Sequence, residues 1–246
     1  MTLGSPERDE GMRRAVRAAD RSPPTVTFVA DLVCPWCYIA FTRLRQVLAG
    51  SGATLVWHPF LLNPHLPAGG VTRAQYLERK FGSVAQAHGV HRRVAQLGNR
   101  EGIDFAFGAI RAQPNTIPAH ALVLAAARLG RDADVAAVLF RAFFVEGADL
   151  GREDVLVSIA MKVGLGAADM RELASEAAMR LVCAAHDEAY AMGISGVPVF
   201  RFGDDHVIAG AQPVEVLEAL LDLEQYRATD GADDNPIRGA TPRSHP

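Results

Sequence analysis

Two cysteines near the start of the chain are the residues whose type and spacing could do chemistry. Cys34 and Cys37 enclose Pro35 and Trp36, and this spacing puts the two thiols one helical turn apart. Proline in the second position favours the first turn of a helix, where its missing N–H would have had no intrahelical partner. A helix start stabilises a thiolate on Cys34, because unpaired N–H groups and the positive end of the helix dipole face it. The segment therefore predicts a redox-active dithiol, with Cys34 as the nucleophile and Cys37 as the resolving thiol.

Two other interpretations of the cysteine pair are weaker. A structural zinc site needs four ligands, and the third cysteine, Cys183, stands alone on a predicted helix, where we expect it to pack as a small apolar residue. Two buried structural cysteines would not explain the Pro-Trp between them. His88 and His91 have a helical spacing that a metal could use, but no carboxylate or thiol is close to them in the sequence. We therefore expect these histidines to lie on a solvated face, and we predict no metal site.

The composition is that of an ordinary globular protein. The chain has 246 residues, 49% of them hydrophobic, with 25 Lys and Arg against 28 Asp and Glu. This balance gives no strong field to recruit nucleic acid or an anionic membrane surface. No apolar run approaches the ~20 residues of a membrane span, and residues 1–22 lack the apolar segment of a secretory or twin-arginine signal. We expect a cytoplasmic protein without nucleic-acid or membrane partners, where a lone thiol pair is catalytic rather than structural.

The residues around the cysteines predict a βαβ unit. Residues 25–29 are β-branched and aromatic, as in a strand buried in a parallel sheet. The helix that follows carries apolar residues at helical spacing and ends at Gly50 and Gly52. Residues 53–58 alternate as a second strand does, and a strand, helix and strand in this order form a right-handed parallel unit.

The remainder of the chain is first helical and then returns to the sheet. A short extended piece is predicted at 103–107, inside the helical part. A hairpin of 197–202 and 206–209 follows, and Pro213 opens a last helix. The predicted helices of the middle part are one that starts at 72, then 83–97, 118–129, 132–146, 152–163 and 168–192.

These elements predict an α/β protein whose sheet is interrupted by helices. Residues 25–63 and 193–224 form the sheet domain, and residues 64–192 form a helical insertion. Residues 1–24 are expected to be a flexible extension. Residues 225–246 contain almost no large apolar side chains and are expected to be a disordered tail.

A second part of the site is predicted where the hairpin begins. Pro198 can start a strand there because its missing N–H faces no partner. A cis Val197–Pro198 bond would turn the backbone of Val197 towards the thiol helix, where the main chain of a substrate could pair with it. The sequence by itself favours trans, since only about 5 to 6% of X-Pro bonds in folded proteins are cis.

Six segments follow one another along the chain at 34–39, 58–64, 114–116, 140–144, 193–198 and 210–213. Together, in this order, they resemble the DsbA-like thioredoxin superfamily, and specifically its FrnE-like branch. The resemblance covers about residues 25–224, and Cys-Pro-Trp-Cys together with Gly-Val-Pro is its most specific part. It implies a thioredoxin-like fold interrupted by a large helical insertion, disulfide exchange at the cysteine motif, and a cis-proline at Pro198. Some FrnE-like proteins have a second cysteine pair near the C-terminus, and this chain has none after Cys183, so we expect one active disulfide.

Two further residues are candidates for a role beside the thiols. His120 lies in a stretch that resembles the family's segment facing the motif, where it could tune Cys34 or help to bind substrate. A histidine at a helix start is, however, more often a capping or surface group. Asp31, three residues before Cys34, could accept a proton or stabilise a turn. The candidate substrate-binding residues are His120, Val197, Pro35 and Trp36.

We expect a thiol–disulfide oxidoreductase that uses no cofactor beyond its own redox-active disulfide. Its expected substrates are disulfide-containing proteins or small thiols, with glutathione as a candidate co-substrate. The first alternative is a glutathione-dependent enzyme of the 2-hydroxychromene-2-carboxylate isomerase or kappa-class transferase type, which typically lacks a paired thiol at the helix start. The second alternative is a non-catalytic binding or chaperone-like module, whose activity would survive replacement of both cysteines. The sequence does not predict the oligomeric state.

Overall fold

A computed structural model describes residues 23–166 and 175–230. The strands are β1 (Thr25–Ala30), β2 (Thr54–Pro59), β3 (Val71–Thr72), β4 (Ala112–Gln113), β5 (Val199–Phe202) and β6 (His206–Ala209). The helices of the described residues are α1 (Pro35–Leu48), α2 (Arg73–Phe81), α3 (Val84–Arg100), α4 (Ile117–Ala127), α5 (Asp132–Phe144), α6 (Glu153–Lys162), α7 (Glu176–Ala191) and α8 (Val214–Asp230).

Four strands form the main sheet, in the order β2-β1-β5-β6. β1 and β2 run parallel, as the predicted βαβ unit requires. β5 pairs antiparallel with β1, and β6 pairs antiparallel with β5 as the second arm of the predicted hairpin. Because Val29 lies opposite Val199, the chain leaving β1 and the chain entering β5 meet at the same end of the sheet.

Local sequence explains where α1 begins and ends. Cys34 is its N-cap residue and Pro35 stands in the first turn, where proline loses no hydrogen bond. The inner face of the helix, including Phe41 and Leu44, is buried. The chain then turns at Gly50, whose φ of 76° lies in the left-handed region that glycine enters without steric cost.

One hydrophobic core joins the sheet to the helices that lie between β2 and β5 in the chain. Phe28 of β1 packs against Phe41 of α1, with ring centroids 5.9 Å apart, and against Phe200 of β5 at 5.1 Å. Tyr38 of α1 stacks on Phe140 of α5, with centroids 5.1 Å apart and ring planes at 6°. The helical segment therefore packs directly on the helix that carries the thiols.

Two elements of the predicted helical segment are wrong in part. The helix predicted at 168–192 is interrupted at Ser175, whose backbone is extended, and α7 begins at Glu176, where the Ser175 hydroxyl caps it by accepting the N–H of Ala178 at 3.2 Å. The residues 168–174 of that prediction lie outside the described residues. No strand forms at 103–107, where Phe105 and Phe107 stack on each other instead. The short strand is β4, which pairs with β3.

The last helix is longer than predicted. α8 continues to Asp230, past the predicted start of the tail at 225. Gln225 donates a hydrogen bond to the carbonyl of Ser51 at 3.1 Å, which ties this part of the helix to the turn after α1. The predictions for residues 1–22 and 231–246 lie outside the described residues. Over 23–166 and 175–230, no helix has the length and apolar composition needed to cross a membrane.

Candidate functional site

The two thiols lie at the start of α1, in the loop that leaves β1. The N–H of Cys34 donates to the carbonyl of Asp31 at 3.0 Å, and this turn places Cys34 at the N-cap. The carbonyl of Cys34 accepts the N–H groups of Cys37 at 3.0 Å and of Tyr38 at 3.2 Å, which begins the helix. Both thiols are free; Cys34 is 4% exposed and Cys37 is fully buried. Of the two, only Cys34 reaches the surface.

The pKa values of the two thiols are shifted in opposite directions. The pKa of Cys34 lies below its ordinary value, chiefly because the thiol of Cys37 donates a hydrogen bond to it, while burial acts in the other direction. The backbone N–H groups of Cys37 and Trp36, at the helix start, also favour the thiolate. The pKa of Cys37 is raised well above its ordinary value, first by burial and then by the hydrogen bond to Cys34 and the charge of Cys34. The pair therefore favours a thiolate on Cys34 beside a thiol on Cys37.

The predicted proline segment lies against Cys34. The Val197–Pro198 bond is cis, as the family resemblance implied and contrary to the preference expected from the sequence alone. The sulfur of Cys34 lies 3.8 Å from the carbonyl oxygen of Val197, within hydrogen-bond reach of a thiol. The carbonyl of Pro198 accepts the N–H of Gly210 at 2.8 Å, which fixes the segment to the end of β6. The structure thus brings together residues that are 163 positions apart in the chain.

Exposed apolar side chains lie near both segments of the site in the sequence. Trp36 is 38% exposed, and its neighbour Pro35 is half-buried. α7 ends shortly before the proline segment, where Tyr190 is 65% exposed and Met192 is 50% exposed. Each segment of the site therefore has exposed apolar side chains next to it in the chain, which a bound partner could contact.

His120 is fully buried, so the interpretation of it as a surface group is wrong, while its assignment as a substrate-binding residue stays a prediction. It lies one turn inside α4, whose N-cap is Thr116, and the helix packs against β2. The indole N–H of Trp57 donates to Nδ1 of His120 at 3.1 Å. Because Nδ1 is the acceptor, the proton of the neutral ring is on Nε2.

Asp31 lies on the other side of His120 and is also fully buried. Its Oδ2 accepts the N–H of Leu62 at 2.7 Å, and its Oδ1 accepts the N–H of Val33 at 3.3 Å, so the predicted turn role is present. Nε2 of His120 lies 3.5 Å from Oδ1 of Asp31, and the two atoms form no hydrogen bond. The negative charge of Asp31 raises the pKa of both thiols, although it is a smaller cause than those above. Asp31 therefore acts electrostatically on the dithiol.

Arg43 is a positioning residue that the sequence analysis missed. From α1, its Nη1 donates to the carbonyls of Ala211 at 2.8 Å and Gln212 at 3.0 Å, and its Nε and Nη2 donate to Glu101 at 2.8 and 2.6 Å. These bonds tie the thiol helix to α3 and to the segment after β6. No pattern in the sequence distinguishes this arginine from one on a solvated helix face.

The other residues considered in the sequence lie apart from the thiols' hydrogen bonds. His91 is 9% exposed and stacks on Phe107 with ring centroids 4.2 Å apart, so the predicted solvated face is wrong for His91, while His88 is exposed. Cys183 lies half-buried on α7 as a free thiol. In the described part of the chain, no three His, Cys, Asp or Glu side chains are grouped as a metal site would require.

Comparisons with known proteins agree with this fold and geometry. A structure of a probable DsbA oxidoreductase from Streptomyces coelicolor aligns with a TM-score of 0.75 and 27% identity over 87% of this chain and 92% of that one. The uncharacterized protein YwbO of Bacillus subtilis is 24% identical over 207 residues, which are 80% of this chain and 96% of YwbO. A 2-hydroxychromene-2-carboxylate isomerase has the same fold, with a TM-score of 0.64 and 18% identity over 85% of this chain and 100% of that one. Residues 25–222 match the model of the DSBA-like thioredoxin domain, and the chain therefore belongs to that family.

Proposed function

We propose that the protein is a thiol–disulfide oxidoreductase in which Cys34 is the nucleophile and Cys37 the resolving thiol. The observation that carries the proposal is the placement of the two free thiols, with Cys34 at the N-cap of α1 reaching the surface and Cys37 fully buried one helical turn inside. The lowered pKa of Cys34 and the raised pKa of Cys37 agree with these roles. A thiolate is the attacking form of cysteine, and a buried thiol one helical turn away can attack only what is already bound to the first.

The proposed reaction has two exchange steps. The Cys34 thiolate attacks one sulfur of a substrate disulfide, the substrate S–S bond breaks, and the other substrate sulfur leaves as a thiolate. Cys37 then loses its proton and attacks Cys34, which breaks the mixed disulfide and releases the second substrate sulfur. Two electrons pass from the dithiol to the substrate, and an internal Cys34–Cys37 disulfide remains. The reverse sequence oxidises a substrate dithiol.

The second step needs a proton acceptor, because burial keeps Cys37 protonated. Asp31 is our candidate, since it is buried and its charge acts on both thiols. Nε2 of His120 lies 3.5 Å from Oδ1 of the same carboxylate without forming a hydrogen bond to it. In this role Asp31 takes the proton as Cys37 attacks.

The surroundings of Cys34 support a substrate with an exposed main chain. The carbonyl of Val197, 3.8 Å from the sulfur, can accept an N–H from a substrate backbone once that substrate is bound to Cys34. Trp36 and Pro35 offer apolar contact beside it.

The proposed substrates are disulfide-containing proteins or small thiols, with glutathione as a co-substrate. We also propose that the protein belongs to the FrnE-like branch and that it is located in the cytoplasm.

The glutathione-dependent isomerase remains the second candidate, because such an enzyme has the same fold. The dithiol argues for disulfide exchange instead, since Cys37 is positioned as a hydrogen-bond donor to Cys34. A binding module without catalysis would not need one thiol with a lowered pKa beside another with a raised pKa.

Purified protein assayed for glutathione-coupled disulfide reduction tests the proposal. Cys34→Ser should abolish exchange, because a hydroxyl is not ionised near neutral pH. Cys37→Ser should trap mixed disulfides that run as adducts on a non-reducing gel and vanish with reductant. Cys183→Ser is the matched control and should keep its activity. Full activity of all three variants would refute the proposal and favour the binding module.

A further inference from the structure

The main chain of residues 60–62, directly after β2, is held by three different parts of the molecule. Its first N–H donates to the carbonyl of Ala30 at 2.9 Å, its second to Nδ1 of His186 at 3.2 Å, and its third to Oδ2 of Asp31 at 2.7 Å. Ala30 ends β1, whereas His186 lies on α7, 125 positions after the N–H that it binds. His186 therefore joins a distant helix to the loop 60–62, which holds the carboxylate.

Asp31 depends on this loop for its shorter hydrogen bond. Its Oδ2 accepts the N–H of Leu62 at 2.7 Å, whereas its Oδ1 accepts the N–H of Val33 at 3.3 Å. Short hydrogen bonds to a charged acceptor are also the strong ones. A displacement of Leu62 would therefore move the carboxylate that we propose as the proton acceptor.

The ring of His186 is placed to accept a hydrogen bond from this loop. The ring of Phe60 meets it edge-on, with centroids 4.9 Å apart and ring planes at 79°. One residue earlier on α7, the carbonyl of Ala185 accepts a hydrogen bond from Nε2 of His58 at 2.8 Å, which binds the same helix to β2. Because Nδ1 of His186 accepts an N–H, the neutral ring carries its proton on Nε2.

The N–H of Leu61 needs the acceptor that His186 supplies. Leu61 is 4% exposed, so bulk water cannot replace Nδ1. A buried donor without an acceptor is costly, so the peptide group between Phe60 and Leu61 would have to turn if that acceptor were lost. Since the next N–H along the chain is the one that binds Asp31, the disturbance reaches the carboxylate within one residue.

We propose that His186 is a positioning residue for the resolution step, because its hold on loop 60–62 keeps Asp31 ready to accept a proton. In that step the proton of Cys37 passes to the carboxylate, the Cys37 sulfur attacks Cys34, and the bond between Cys34 and the substrate sulfur breaks. The substrate sulfur leaves as a thiolate. This inference rests on the proposed function and deepens it, and His186 itself exchanges no proton.

Rapid-quench kinetics with glutathione disulfide tests this role in the full chain. Reduced protein is mixed with the disulfide, quenched in acid and followed by intact mass, which separates the mixed disulfide at Cys34 from the internal disulfide that replaces it. The conversion of the first species into the second is the resolution step, and its rate does not depend on the concentration of glutathione disulfide. A Cys183→Ser background leaves the two motif thiols as the reacting groups.

His186→Asn and His186→Gln form a matched pair of variants. The asparagine oxygen occupies the same place along the side chain as Nδ1 and can accept the N–H of Leu61, whereas the glutamine oxygen lies one atom further out. His186→Gln should slow resolution roughly 2- to 10-fold, as expected for the loss of one hydrogen bond, and His186→Asn should stay within about twofold of the wild type. Glutamine is a better helix former than asparagine, so a merely structural role predicts the opposite order. His88→Gln, at an exposed position of α3, is the control and should leave the rate unchanged.

Two further measurements tie the effect to the carboxylate. In an Asp31→Asn background, His186→Gln should not slow resolution further, because residues that act as one unit are not additive. Alkylation of Cys34 needs no turnover. The pKa of Cys34 should fall in His186→Gln and stay unchanged in His186→Asn, since a displaced Asp31 exerts less of the negative charge that raises it.

Three results would overturn the inference. Equal resolution rates in His186→Gln and the wild type would show that the loop holds the carboxylate without this acceptor. Slower resolution with asparagine than with glutamine would assign the effect to the stability of the helix. The same slowing by His186→Gln with and without Asp31 would show that His186 does not act through the carboxylate. Failure of the proposed function looks different, because the wild type itself would then form no mixed disulfide, and the alkylation of Cys34 would still decide the role of His186.

Discussion

Two things lower the pKa of Cys34, the hydrogen bond from the Cys37 side chain and the backbone N–H groups at the helix start, and a pair of variants at position 37 can separate them. Cys37→Ser keeps an O–H donor at this position, whereas Cys37→Ala removes the donor and leaves the backbone N–H groups of Trp36 and Cys37 in place. Because the Cys37 side chain is the largest cause that lowers the pKa of Cys34, we expect a higher pKa of Cys34 in the alanine variant than in the serine variant.

The size of the effect follows from general magnitudes. A hydrogen bond to a charged group contributes about 1.5–3 kcal/mol, and 1.4 kcal/mol is roughly a factor of ten in an equilibrium. A less acidic thiol gives a more nucleophilic thiolate, with a Brønsted coefficient of about 0.4–0.5, so roughly half of the logarithmic change survives in the rate. At a pH below both pKa values, alkylation of Cys34 should be roughly 4- to 20-fold slower with alanine than with serine at position 37.

Iodoacetamide alkylation against pH, in a Cys183→Ser background, measures this difference on Cys34 alone. Above both pKa values the order should reverse, and the alanine variant should react slightly faster because its thiolate is more basic. Superimposed profiles for alanine and serine would show that the helix start, and not Cys37, sets the acidity of Cys34. A Cys34 pKa above the ordinary value in the serine variant would remove the basis of the proposed function.

Three further predictions concern the groups behind the thiols and the packing of the helices. Asp31→Asn should lower the pKa of Cys34 measured by alkylation, because it removes a negative charge that raises this pKa. It should also slow the resolution of a trapped mixed disulfide in a rapid-quench experiment, because the proton acceptor is lost. A loss of packing alone would not produce these opposite changes. Arg43→Met should lower the free energy of unfolding in urea by about 3 kcal/mol, because it removes one partner of a mostly buried ion pair. The control Arg45→Met, at a side chain that is 47% exposed, should change this free energy by less than about 0.5 kcal/mol. The pKa of His91 is lowered to about 4 in the folded protein, so the unfolded chain takes up the proton at a higher pH than the folded protein does. The free energy of unfolding should therefore fall by at most about 3 kcal/mol as the pH drops from about 6.5 to about 4. His91→Phe should flatten this dependence on pH, and an unchanged dependence would place its cause elsewhere.

The sequence was most informative where local patterns determine structure. The β1–α1–β2 unit, the hairpin of β5 and β6 and the predicted thioredoxin-like fold with a helical insertion are confirmed, because strand periodicity, Pro35 at a helix start and glycine at turns act over a few residues. The cis geometry at Pro198 is also confirmed, but only the family resemblance implied it.

The sequence was least informative where distant segments meet. His120 looks like a helix-start residue, and only the packing of α4 on β2 buries it between Trp57 and Asp31. His91 has the spacing of a solvated face, yet Phe107, from a loop that follows α3, covers it. The contacts of these residues depend on tertiary packing, which periodicity along a single helix does not contain.

The distance along the chain between Cys34 and Val197 has a consequence for synthesis on the ribosome. Val197 follows Cys34 by 163 positions, which take roughly 8 to 30 s to translate at about 5 to 20 residues per second. During that time the nascent chain contains the dithiol and β1 but not β5, which pairs with β1 in the finished sheet. Until its last hairpin emerges, a newborn chain therefore carries Cys34 without the Val197 segment beside it and β1 with one edge unpaired, so this interval exposes a strand edge that the finished sheet covers.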